Sequence, residues 1–191
     1  MAKQFAAIDP DHQAFIEKQP VFFVGTAAAE GRVNVSPKGM DSLRVLGPNR
    51  VMWLNVTGSG NETAVHLLQL PRMTLMFCAF EGAPLILRLY GTARMVQPDQ
   101  TEWPDLYAQF LPLPAARQIY LMDVDLVQTS CGMAVPLMGF QAGRETLNDV
   151  HRTLGEEQLS DYQQSKNTRS IDGFPTGLLI GKMPIAETRP S

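Results

Sequence analysis

Short runs of strand character, each closed within a few residues by glycine, proline or asparagine, set the limits on what this chain can fold into. VFFVGTAAA (Val21–Ala29) gives way at Glu30-Gly31 to RVNVS (Arg32–Ser36), where Val33 and Val35 alternate with Asn34 and Ser36. That period of two predicts a half-buried strand, closed by Pro37-Lys38-Gly39. Leu43–Leu46 has room for a brief strand, and RVMWLNV (Arg50–Val56) follows the Gly47-Pro48-Asn49 turn. MTLMFCAF (Met73–Phe80) is apolar on both faces, which predicts a central strand. LILRLYGTARMV (Leu85–Val96) puts Leu85, Leu87 and Leu89 on one face and Ile86, Arg88 and Tyr90 on the other, and RQIYLMDVDLVQTS (Arg117–Ser130) is the last long strand.

Helical patterns interrupt this series at intervals. Asp9-Pro10 reads as a cap and first turn of a helix to about Gln19, with Phe15 and Ile16 inward. Glu62–Leu70 carries Ala64, Leu67 and Leu68 on one face, and Trp103, Tyr107 and Phe110 recur at helical spacing after Pro98-Asp99. About six strands joined by tight turns, without regular strand–helix alternation, predict a mainly β protein: an antiparallel barrel with peripheral helices. The segment from residue 143 differs in character, with an amphipathic helix (Leu147, Val150, His151, Leu154), a polar stretch and then SIDGFPTGL. The chain is therefore divided into a barrel domain, 1–142, and a tail, 143–191, expected to pack on the same domain or on a dimer.

Charged residues make up 18% of the 191, beside 45% hydrophobic residues. The charged share is below the roughly 25% of an average domain, and either extra buried surface at an interface or cofactor site, or a sparsely charged exterior, accounts for it. A net charge of -3 argues against a nucleic-acid binder. The two cysteines, Cys78 and Cys131, form no CxxC pair or disulfide framework, and Cys78 sits in an apolar run where a small buried residue belongs. With no apolar run of about 20 residues and no signal-peptide core near the start, a soluble cytoplasmic protein is expected.

Several chemistries find no support. His12, His66 and His151 are scattered, with no metal-ligand spacing, so no metal site is expected. There is no GxSxG elbow, and TGSGNET (Thr57–Thr63) matches neither the Walker loop nor the GxGxxG fingerprint. What that turn does offer is a phosphate-sized anion site. Gly58 and Gly60 let backbone N–H groups turn inward, Ser59, Asn61 and Thr63 add side-chain donors, and Asn61 stands where a helix N-cap belongs. A plain turn and cap is the alternative. Glu62 must face away from any anion. Lys38, just past a strand whose Asn34 and Ser36 share a face, would put a positive charge beside the turn if the two strands are neighbours. Arg88 is either a second phosphate or interface partner or a solvated strand residue.

GRVNVSPKG (Gly31–Gly39), NVTGSGNETAVHLLQLPRMTLMF (Asn55–Phe77) and LRLYGTARMV (Leu87–Val96), in this order, resemble the pyridoxamine 5'-phosphate oxidase-like, FMN-binding split-barrel flavoproteins. The resemblance covers about Pro20 to Gly132, and SCGMAVP (Ser130–Pro136) and SIDGFPTGL (Ser170–Leu178) look like a subgroup of them. It implies a six-stranded antiparallel split β-barrel that binds FMN at the interface of a homodimer. On that basis Asn34, Val35, Ser36 and Lys38 map to the strand along the flavin, Leu54 and Asn55 to the next contact strand, and Ser59, Asn61 and Thr63 to the phosphate turn. Arg88, Ser130 and Cys131 map to contacts from the other chain.

The departures matter as well. Where the oxidases carry an Arg-Lys pair in the phosphate turn, this chain has Glu62 and Thr63, and after His151 it has no histidine, ending IAETRPS. Oxidation of the vitamin phosphate is therefore not expected. The implied function is an FMN-dependent oxidoreductase acting on a small molecule, with no evident acid or base among its side chains; Cys131 is either a thiol near the flavin or a small packed residue. A flavin or haem carrier without turnover and a deazaflavin-dependent reductase are the alternatives.

Overall fold

The computed structural model of the chain describes residues 2–179. The opening strand β1 (Lys3–Phe5) leads to helix α1 (Pro10–Glu17). The Asp9 side chain caps this helix, accepting from the His12 N–H at 2.8 Å, and His12 Nδ1 accepts in turn from the Asp9 N–H. Then come β2 (Phe22–Thr26), β3 (Asn34–Lys38), β4 (Leu43–Gly47) and β5 (Arg50–Val56), helix α2 (Glu62–Gln69), β6 (Arg72–Cys78) and β7 (Ile86–Val96). A short helix α3 (Trp103–Tyr107), the long strand β8 (Ala116–Ser130) and two tail helices, α4 (Thr146–Thr153) and α5 (Glu156–Lys166), complete the order.

All pairings are antiparallel, in the sheet order β3-β2-β6-β7-β8-β5-β4, with β1 added to β8. The mainly β, antiparallel expectation holds, but the sheet has eight strands rather than six and is open, with β3 and β4 at its ends. β4 is the brief strand expected at Leu43–Leu46, and β1 is the strand not anticipated. β1 is three residues long and joins β8 through its backbone, leaving no hydrophobic alternation to read.

Alternation sorts the side chains into two cores. One buries Phe22, Val24, Trp53, Leu75, Phe77, Leu87, Leu89, Tyr120, Met122 and Val127. Here Trp53 stacks on Tyr120 with ring centroids 4.6 Å apart, and Phe22 stacks on Phe77 at 5.8 Å. The other lies on the opposite face of β5 and β8, where Met52, Leu54, Ile119 and Leu121 meet Val96, Trp103 and Phe110. Burial on both faces is why RVMWLNV is apolar at consecutive positions. Between Tyr90 and Gly91 the register shifts by one because β8 carries an extra residue, Asp125, and Gly91 is required opposite this bulge, because a Cβ would lie 1.9 Å from the Asp123 carbonyl oxygen.

The structure corrects four local expectations. β3 begins at Asn34 and runs on through Pro37 and Lys38, which an edge strand tolerates because the missing N–H faces no partner. The sense of its alternation is reversed: Val33 and Val35 are 72% and 66% exposed, while Asn34, Ser36 and Lys38 are half-buried. On α2, Leu68 is exposed and Thr63, Val65 and His66 join Ala64 and Leu67 in the buried set, since the helix is covered on more than one side. On α4, Asn148 and His151 are buried while Leu147 and Val150 are exposed, and the polar stretch after it is helix α5. The closing IAETRPS lies outside the described residues. Cys78 is buried, and burial raises its thiol pKa. No helix of the described residues is long and apolar enough to cross a membrane.

Candidate functional site

β5 ends at Val56, and Thr57 anchors the turn that follows by donating its N–H to the Ala115 carbonyl at 2.9 Å. From there Gly58–Asn61 wrap into the first turn of α2. Asn61 occupies the N-cap position but makes no side-chain cap. Its amide instead donates to the Asn167 carbonyl at 3.4 Å and its oxygen accepts from the Tyr120 hydroxyl at 3.5 Å. The backbone N–H groups of Gly58, Ser59, Gly60 and Asn61 have no intramolecular acceptor among the described residues. The carbonyls of Gly58 and Gly60 are engaged, by Asn167 Nδ2 at 2.8 Å and by an Arg117 guanidinium nitrogen at 3.2 Å. Carbonyls held and N–H groups free is the polarity an anion needs.

This turn forms one wall of a cavity of about 370 Å³ whose other walls come from β3, the Gly39–Ser42 connection and β5. Eight of the twelve residues expected from sequence line it: Asn34, Ser36, Lys38, Leu54, Asn55, Ser59, Asn61 and Thr63. Asn34 is fixed there because its amide donates to Thr26 Oγ1 and Thr63 Oγ1, both at 3.3 Å, and Thr26 Oγ1 meets His66 Nδ1 at 3.0 Å. Asn55 donates to Gln118 Oε1 at 3.3 Å. Met40 and Asp41, with φ of 63° and 51°, turn the chain sharply after β3, and Arg44 holds that turn through the Asp41 carbonyl and carboxylate at 2.9 Å.

Val35, Arg88, Ser130 and Cys131 are not among the lining residues. Val35 faces outward from the edge strand. Arg88 donates to Ser130 Oγ at 3.2 Å on the outward face of β7 and β8, and Cys131 is exposed beside it. In its own chain this second group stands apart from the cavity.

The electrostatics of the cavity are cationic. Lys38 extends over the Trp53 ring, its Nζ 5.2 Å from the centroid, and has no ion pair among the described residues. Burial, and secondarily the charge of Arg117, pulls its pKa from 10.5 to about 8. Glu62 is the one carboxylate in the lining, and its Oε1 accepts from the Ile171 N–H at 2.9 Å. Its Oε2 is buried with no hydrogen-bond partner among the described residues, so although Oε1 turns to Ile171, Glu62 does not face away from the cavity as expected.

Sequence reasoning missed two contributors. Arg117, only 3% exposed, lines the cavity from the start of β8; the one sequence signal was an Arg-Gln pair set just before the apolar run Ile119–Met122. The tail is the other. Gln163 donates to Thr57 Oγ1 at 2.9 Å, Asn167 holds Gly58, and Asp172 takes the Arg32 N–H at 2.8 Å and pairs with its guanidinium. His151 is buried behind the turn, and burial lowers its pKa.

The family model described as Pyridoxamine 5'-phosphate oxidase matches residues 8–131. The Pyridoxamine 5'-phosphate oxidase family protein ustO of Aspergillus flavus is 37% identical over 181 residues, covering 83% of this chain and 71% of that protein. Among solved structures, Group A Streptococcus HupZ superposes with a TM-score of 0.51 at 20% identity, over 62% of this chain and 91% of that one. A candidate pyridoxamine 5'-phosphate oxidase from Lactobacillus delbrueckii gives 0.51 at 18% identity, over 64% and 94%. These two likenesses speak to the fold alone, whereas the match over residues 8–131 and the 37% identity place the sequence itself: the chain belongs to the pyridoxamine 5'-phosphate oxidase family.

Proposed function

We propose that this protein binds FMN with the phosphate in the cavity at the Thr57–Asn61 turn, as a homodimer, and is an FMN-dependent oxidoreductase acting on a small molecule. The observation that carries the reading is the convergence, on one cavity, of Lys38 without a carboxylate partner and a row of free backbone N–H groups. FMN supplies the electron-transfer chemistry when bound, and the protein supplies position and electrostatics. Lys38 and the N–H groups of Gly58–Asn61 hold the phosphate. Asn34, locked by Thr26 and Thr63, presents a fixed polar edge from β3, and Leu54 gives an apolar wall.

The dimer is supported by two exposed valines, Val35 on the edge strand β3 and Val33 just before it. Arg88, Ser130 and Cys131, set apart from the cavity in their own chain, would meet the flavin from the second copy. Two free cysteines suit a reducing cytoplasm. The proposal stops short of the oxidation that names the family, because Glu62 and Thr63 stand in the turn and Glu62 is committed to Ile171.

The visible spectrum of the purified protein tests the reading. A yellow protein that releases FMN on denaturation, and that bleaches with NADH or NADPH, supports binding and turnover. A colourless protein that takes up no added FMN refutes it.

A further inference from the structure

Arg117 is buried without an ionic partner. One of its terminal nitrogens donates to the Gly60 carbonyl and Nε donates to Gln118 Oε1, both at 3.2 Å, while the other terminal nitrogen is buried with no hydrogen-bond partner among the described residues. The guanidinium makes no ion pair in the described residues, and the charged group acting on Lys38 from this side is Arg117 itself. Burial lowers the pKa of Arg117 to about 10, opposed by Tyr120 and Tyr162.

A buried, uncompensated cation destabilises a fold, and two facing the same cavity add mutual repulsion. Glu62 lines the same cavity but pairs with neither: its Oε1 accepts from the Ile171 N–H and its Oε2 is buried without a hydrogen-bond partner among the described residues. Arg117 and the free N–H groups of the turn line one cavity, with the unpartnered guanidinium nitrogen itself buried beside it, and each lacks what a phosphate oxygen provides: a charged acceptor.

We infer that Arg117 is the second cationic ligand of the site and, with Lys38, selects a phosphate monoester dianion over a phosphodiester or an unphosphorylated ring. A monoester brings nearly two negative charges at neutral pH, against one for each phosphate of a diester. The inference rests on the FMN reading for the identity of the ligand, and it predicts preference for FMN over FAD and over riboflavin. It also assigns a sign to stability: Arg117 weakens the empty protein and strengthens the filled one.

Arg117→Met and Arg117→Lys in the full chain test this, with thermal unfolding and flavin-fluorescence titration as readouts. Met removes the charge at similar length; Lys keeps it. The expected result for Arg117→Met is an empty protein with an unfolding midpoint no lower than wild type. Its FMN affinity should fall about 10- to 100-fold while riboflavin affinity changes less than twofold, and the FMN-over-FAD preference should shrink. Arg117→Lys should recover part of the FMN affinity. Inorganic phosphate, used as a probe free of the ring, should raise the wild-type midpoint and leave that of Arg117→Met unmoved.

Equal losses for FMN and riboflavin, or unchanged FMN affinity in Arg117→Met, overturn the assignment while the FMN reading stands. If wild type takes up neither flavin yet phosphate stabilises it in an Arg117-dependent way, the flavin reading falls and Arg117 remains a phosphate ligand. A wild type stabilised by neither phosphate nor flavin overturns both.

Discussion

Raising the pH through 8 should loosen FMN, and Lys38 is the reason. Its ammonium is displaced from 10.5 to about 8 by burial and by Arg117, so the empty site loses this charge about where the ordinary lysine is still fully protonated. A phosphate bound against Lys38 favours the charged form and pulls the pKa back up. Binding then takes up a proton wherever free Lys38 is neutral, and the Kd for FMN should rise about tenfold between pH 7 and pH 9. The phosphate, with its second pKa near 6, is a dianion across that range, so the change does not originate in the ligand's phosphate.

Fluorescence titrations at constant ionic strength measure this, with riboflavin as the control that shares the ring but not the phosphate. Lys38→Met should bind FMN more weakly at pH 7, by about 1–3 kcal/mol, and should show no dependence on pH from 7 to 9. The empty protein supplies an independent check with a definite sign. Between about pH 8 and 10.5 the unfolded chain binds more protons at Lys38 than the folded one, so the Lys38 contribution to stability rises with pH in that window. Its ceiling is on the order of 3 kcal/mol, reduced by the partial exposure of the side chain. The rise should be present in wild type and missing in Lys38→Met. An FMN Kd that stays within twofold from pH 7 to 9, or an equal slope in Lys38→Met, would remove Lys38 from the phosphate site.

Other substitutions probe the frame around the cavity. Asn167→Ala leaves the Gly58 carbonyl without its donor, and should cost about 1–3 kcal/mol in urea unfolding and weaken FMN several-fold by releasing the turn; unchanged affinity would show that the tail does not order the site. Gly91→Ala drives a methyl group into the Asp123 carbonyl opposite the β8 bulge, so a loss above about 3 kcal/mol and poor soluble yield are expected, and a normal unfolding midpoint would contradict the register of β7 on β8. Val35→Glu places a charge on the exposed edge strand. Light scattering should then report a monomer with impaired FMN uptake, and a dimer of undiminished stability would move the interface elsewhere.

Much of the frame could be read because its causes are local. Asp9-Pro10 starts α1 through its own capping contacts, and the Gly/Pro/Asn turns fall between strands where the chain must reverse. The Thr57–Thr63 turn could be read as an anion site or as a plain turn and cap, and the resemblance decided between them, while the place of Lys38 beside that turn comes from the fold, since β3 and β5 are not neighbours in the sheet. Strand β1 was not legible, since three residues held by the backbone of β8 leave no pattern in their side chains. The reversed alternation of β3 was equally hidden. Valines ordinarily mark the buried face, but here the inward face belongs to a polar cavity and the outward face to the unpaired edge.

The sequence alone determined the mainly antiparallel β architecture, the strand–turn–helix at Thr57–Thr63 and the family to which they point. These depend on hydrophobic period, on backbone freedom at Gly58 and Gly60, and on capping geometry, all of which act within a few residues. Only the tertiary structure decided that Arg117 stands behind that turn, because its place follows from the β5–β8 register, with Asn55 opposite Gln118 and Val56 opposite Ala116. It also decided that Gln163 and Asn167 hold the turn, more than a hundred residues away in the chain. A buried cation and a remote hydrogen bond are properties of neighbours, and neighbours distant in sequence are chosen by the fold.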